Sequence, residues 1–150
     1  MREKVLDRFR HSRTRSSLNV LLAMPVSHFA GHLMSKSNLV YKISPRADWE
    51  AAVAAGTFTG APVDLADGYI HFSTAAQAAE TAAKHFRGQL DLVLIAIDAD
   101  ALGSALKWEP SRGGALFPHL HAPLDLTHVR ATHTLPLDAN GVPQIPEGLE

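Results

Sequence analysis

Apolar and polar positions alternate with changing period along this chain, and each change predicts an element. Leu39-Val-Tyr-Lys-Ile43 is β-branched and aromatic and predicts a first strand. Ser44 then reads as an N-cap with Pro45 at the first helical position. Asp48 and Glu50 favour the positive end of that helix, Trp49, Ala52 and Val53 form its inward stripe, and Gly56 closes it. Residues 57–68, with Gly60, Pro62 and Asp67-Gly68, read as a loop. Tyr69-Ile-His-Phe-Ser73 alternates as a strand, and Thr74-x-x-Gln77 is a capping box that opens a helix running to about Arg87, before Gly88. The unbroken apolar run Leu92 to Ile97 predicts a central strand buried on both faces.

Beyond it, residues 98–106 read as a turn and short helix, and Lys107-Trp-Glu109 as a short strand. Arg112-Gly-Gly114 reads as a flexible loop that could act as a lid. Phe117 to Leu124 is extended but bounded by prolines, which predicts an edge or loop segment. Val129 to Leu135 is the last strand, and a tail rich in Gly and Pro wraps the surface. Short strands and helices in mixed order predict one α+β domain over residues 39–150.

Composition separates the first part of the chain from this domain. Residues 1–37 hold seven of the 14 basic residues but only two of the 15 acidic ones. Residues 1–38 therefore read as a basic N-terminal extension: upstream sequence from a mis-assigned start ahead of Met34, a flexible arm, or a targeting segment. The whole chain is 46% apolar and 19% charged, as a globular protein is, and its net charge of −1 points to neither nucleic acid nor membrane. It has no cysteine, which excludes disulfides, thiol catalysis and thiolate metal sites and fits the cytoplasm.

Candidate chemistry concentrates in two segments. Strand alternation points Ile70 and Phe72 to the core and Tyr69, His71 and Ser73 to the other face, just before a helix N-terminus suited to an anion. His119 and His121 are two apart, so an extended backbone places both imidazoles on one face. Such a pair can act as acid and base, grip a phosphate, or bind a metal with His71 or Glu109 as third ligand. Glu109 can orient a ribose hydroxyl or act as a base. His85, late in a helix, reads as structural.

The succession Tyr41-Lys-Ile43, Trp49, Asp67-Gly-Tyr-Ile-His-Phe-Ser73, Gln77, Leu92 to Ile97, Trp108-Glu109 and Phe117-Pro-His-Leu-His-x-Pro-Leu124 resembles the bacterial domain of unknown function 952 family. The resemblance implies an ADP-ribosylation-like fold, with two small sheets forming a cleft, as in ADP-ribosyltransferases and the RNA 2′-phosphotransferase. It implies a transferase-like activity on NAD or an ADP-ribosylated or phosphorylated nucleotide, with NAD as substrate rather than resident cofactor. His71, Glu109 and His119 would then be catalytic, and Lys42, Tyr69, Ser73, His121 and Arg112 would bind the ligand. The family commonly carries a histidine at the position of Lys42 and a tyrosine at that of His121, and a lysine suits a phosphate. A non-catalytic nucleotide or ADP-ribose module and a histidine-bound metal hydrolase are the alternatives.

Overall fold

The run that sequence places at the centre is the middle strand of the first of three antiparallel sheets. The computed structural model describes residues 38–150; the expectations for the basic N-terminal extension lie outside them. Strand β1 (Leu39–Pro45) pairs with β4 (Leu92–Asp98), which pairs with β8 (Val129–Leu135). Leu92 through Ile97 are buried without exception, because each face of β4 meets its own core. One core gathers Val93, Ile95 and Ile97 with Val40, Trp49, Phe58, Ile70, Phe72, Leu120 and Leu124. The other gathers Leu92, Leu94 and Ala96 with Tyr41, Ile43, Ala82 and Leu135, and the tail residues Ile145 and Leu149 pack against it.

A two-stranded sheet joins β2 (Thr57–Phe58) to β7 (Leu124–Asp125), and the third sheet runs β3 (Ile70–His71), β6 (Leu116–Leu120), β5 (Leu106–Pro110). The expectation was two sheets. The third is the small β2–β7 pair, hidden from sequence because two-residue strands are too short to show a period.

The helices are α1 (Arg46–Ala55), α2 (Pro62–Asp67) and α3 (Ala75–His85). Helix α1 begins one residue later than predicted. Ser44 and Pro45 stay in β1, paired with Val93 and Leu92, so Ser44 caps nothing. Trp49 and Ala52 are its buried stripe, while Val53 is exposed, contrary to expectation. Residues 57–68 are not simply a loop: they contain β2 and α2. Pro62 opens α2, the Asp64 carboxylate takes the Ala61 N–H at 2.7 Å, and Gly68 ends it with φ of 87°. The capping box of α3 is formed both ways: Gln77 N–H donates to Thr74 Oγ1 at 3.2 Å and Thr74 N–H to Gln77 Oε1 at 3.0 Å. This helix ends at His85 rather than Arg87.

Strand β6 corrects the expectation of an edge or loop. It is the middle strand of its sheet, with a proline in it. Phe72 lies opposite Pro118 in the register set by Ile70↔Leu120 and His71↔His119, and its N–H donates to the Pro118 carbonyl at 2.9 Å. Pro118 has no N–H to return, so the β3–β6 ladder stops there. The chain released at Phe72 crosses to β1 instead. Tyr41 and Ser73 exchange both backbone hydrogen bonds, at 2.8 and 2.9 Å, and this bridge joins the first and third sheets.

Candidate functional site

The joint between the two sheets is where the polar side chains meet. Asp64, on α2, has no accessible side-chain surface. Burying a carboxylate is costly unless it is fully paired. Here Lys42 Nζ reaches both oxygens, at 2.9 and 2.7 Å, and His71 reaches Oδ1 through Nδ1 at 2.6 Å and its backbone N–H at 3.1 Å. Burial pushes the carboxyl up, but the His71 hydrogen bond and the Lys42 charge outweigh it and bring the pKa to about 2. Burial lowers Lys42, offset in part by Asp64. Lys42, read as a phosphate ligand, directs its ammonium at Asp64. On the other side of the His71 ring, Nε2 stands 3.0 Å from Asp67 Oδ2. Residues 64 and 67 lie one turn apart on α2, so this short helix holds one imidazole between two carboxylates.

A second carboxylate–imidazole pair stands beside it. His119 pairs directly across the β3–β6 ladder with His71, and the two rings meet edge to face at 5.4 Å. Its Nδ1 is 2.7 Å from Glu109 Oε2, and His121 Nε2 lies 3.1 Å from Glu109 Oε1. Hydrogen bonds from the two histidines hold the Glu109 carboxyl below its ordinary value. Tyr69 stacks on the His119 ring at 4.2 Å and also lies against His71 and His121. Both histidines of the supposed metal pair thus turn a nitrogen to Glu109. Among the described residues no three His, Asp or Glu side chains gather as metal ligands.

Lys42, His71, Ser73, Arg112 and His119 line one open cleft of about 610 Å³. Apolar Ile43, Val63, Phe72 and Phe117 fill much of its wall. Tyr69, Glu109 and His121 do not line it and reach it through the rings they touch. His119 is 3% exposed, and its Nε2 has no partner among the described residues. His119 itself is one of the residues that line the cleft. Arg112 sits in a single 3₁₀ turn, over the Phe117 ring at 5.0 Å, with Nη2 on Thr81 Oγ1 at 3.3 Å and Nη1 on His85 Nε2 at 3.1 Å. Ser73 Oγ also bonds Thr81 Oγ1, at 3.1 Å. Sequence reading missed Asp64 and Asp67, and took His85 for a structural residue although it lines the cleft. The available signal for the two acids was Pro62 followed by Asp64 at the third helical position and by Asp67-Gly68.

The fold and site define a small α+β domain in which residues of two three-stranded antiparallel sheets line one histidine-bearing cleft. The chain belongs to the family described as "Protein of unknown function (DUF952)", whose model matches residues 43–132. It is similar to CC0527 of Caulobacter crescentus. The crystal structure of that protein is 60% identical, with a TM-score of 0.69 over 71% of this chain and 93% of that one. Its solution NMR structure gives a TM-score of 0.66 over 71% and 92%, also at 60% identity. A search of curated proteins gave no match. No helix among the described residues is long and apolar enough to cross a membrane.

Proposed function

We propose that the cleft binds a ribosyl phosphate of the kind carried by NAD, ADP-ribose and phosphorylated nucleotides, and that the protein is an ADP-ribosyltransferase-like enzyme using His119 as general base. The observation that carries this reading is His119 itself. It is a buried imidazole oriented by Glu109 through Nδ1, with no partner for Nε2 among the described residues, and it lines a cleft between two small sheets. With Nδ1–H given to the carboxylate, Nε2 carries the lone pair a base needs.

The surroundings suit the ligand. Arg112 and His85 offer cationic or donor groups to a phosphate, Ser73 and Thr81 offer hydroxyls, and Ile43, Phe72 and Phe117 offer apolar surface. The Lys42 charge is taken up by Asp64, so the phosphate role passes to Arg112. In the transfer, the bond between the ribose C1′ and nicotinamide breaks and nicotinamide leaves with the bonding pair. An acceptor hydroxyl bonds C1′, and its proton passes to His119 Nε2. Glu109 is then a positioning residue that acts through His119.

Thermal shift with NAD, ADP-ribose and AMP tests the binding. A ligand at 100 times its Kd adds about 2.7 kcal/mol, which raises Tm by several degrees in a domain of this size. Release of nicotinamide from NAD, lost in His119→Gln, tests the chemistry. Binding without turnover would make the protein a nucleotide module, and the absence of any shift would end the reading.

A further inference from the structure

We infer that Asp67, held in place by His71, forms the ribose-hydroxyl subsite of this cleft, and that it excludes a phosphoryl group from that position. The inference rests on the nucleotide reading above and narrows its substrate class to nucleotides whose ribose hydroxyls are free. Asp67 is the one carboxylate among the described residues lining the cleft. Its Oδ2 meets His71 Nε2 at 3.0 Å, while about half of its side chain is open to solvent. Oδ1 has no partner among the described residues and is available to accept from a hydroxyl.

The pair is well anchored. Asp64 fixes His71 from its far side through Nδ1 and the backbone N–H. Asp64 also lies one turn before Asp67 on α2, and is itself tied to Lys42 and Ala61. With both nitrogens of His71 turned to carboxylates, the group left for a sugar hydroxyl is Asp67 Oδ1, which accepts from it while His71 holds Oδ2. The same carboxylate repels a phosphate dianion placed there. Dinucleotide sites choose between a ribose hydroxyl and a ribose phosphate by this device, an acid for the first and an arginine for the second. In this cleft the arginine is elsewhere. Arg112 stands with Thr81 and His85 of α3, on which it uses two of its five N–H groups, and its Nε lies 3.8 Å from the exposed Glu80 carboxylate. A nucleotide would therefore direct its 5′-phosphate to Arg112 and its hydroxyl edge to Asp67.

Calorimetric titration of the full chain with AMP, adenosine 2′,5′-bisphosphate and adenosine 3′,5′-bisphosphate tests this. The unmodified protein is expected to bind AMP at least about tenfold more tightly than either bisphosphate. Asp67→Asn should shrink that ratio below about threefold, chiefly by tightening the bisphosphates, and Asp67→Ser should act alike if the first variant folds poorly. Equal binding of AMP and the bisphosphates by the unmodified protein would overturn the inference. So would an unchanged ratio in both variants while AMP still binds, and either result would leave the nucleotide reading standing. Failure of all three ligands to bind would overturn the nucleotide reading and this inference with it.

Discussion

Asp64 Oδ1 accepts from His71 twice, through the ring Nδ1 at 2.6 Å and the backbone N–H at 3.1 Å, so one carboxylate oxygen fixes both the side chain and the strand that carries it. The other oxygen receives Ala61 N–H and Lys42 Nζ, each at 2.7 Å. The polar joint between the sheets is thus centred on a residue that never touches solvent.

Removing that residue should be costly. Asp64→Ala leaves the Lys42 ammonium buried without its partner, and breaking a buried pair from one side typically costs about 3–5 kcal/mol. Replacing both partners, Asp64→Leu with Lys42→Met, should restore part of the loss, because no buried ammonium is then left unpaired, although the Ala61 and His71 N–H groups still lack their acceptor. Urea denaturation of the single and double variants measures the difference. A single-variant loss under about 1 kcal/mol would show that the network contributes little.

The same carboxylate gives stability an acid limb. Its folded pKa of about 2 lies below the ordinary carboxylate value of about 4. A group depressed on folding contributes in full above its unfolded pKa, and the contribution is lost as pH falls through the folded one. Roughly 2 kcal/mol should therefore disappear between pH 4 and pH 2. Denaturation midpoints across that window should fall steeply in the unmodified protein, and less steeply in the Lys42→Met, Asp64→Leu double variant. Parallel profiles would remove Asp64 as the cause.

Phe72 tests the assignment of faces along its segment. It is 2% exposed, in the core with Ile70 and Leu120, while His71 beside it faces Asp64. Phe72→Ala should cost about 3–5 kcal/mol, the usual range for a buried Phe. A loss below about 1 kcal/mol would place the ring outside the core.

Elements written in local sequence were legible. Val129–Leu135 forms the predicted strand, and Thr74 and Gln77 form the predicted capping box, since each signal lies within a few residues. Helix α2 was not legible, because six residues make too few turns to show a period. The central place of β6 was masked by Pro118, whose missing N–H is harmless only because β3 leaves the sheet opposite it. The candidate residues on one strand face could be read from alternation. Which of them share a cleft depends on the pairing of His71 with His119, a contact between distant segments that no local pattern encodes. The partner of Lys42 was hidden for the same reason: Asp64 lay in the stretch read as loop.

His71 and His119 should weaken the same ligand, and their effects should not add. They are direct cross-strand partners with rings 5.4 Å apart, and both line the cleft. Residues in contact commonly show 0.5–3 kcal/mol of coupling in a double-mutant cycle. Read as open-cleft side chains, both would be expected to leave Tm unchanged on substitution, but the structure gives each a structural share. His71 holds Asp64 by a 2.6 Å bond, and His119 is buried under Tyr69. His71→Ala should therefore lower Tm as well as affinity, because it removes one of the groups that keep Asp64 satisfied. His119→Gln keeps a polar side chain of similar reach and should cost less stability. Titrating ADP-ribose into the two single variants and the double variant, at a temperature where all three are folded, gives the coupling directly. Strictly additive losses would mean that the two rings serve the ligand independently, and unchanged affinity in both single variants would remove them from the site.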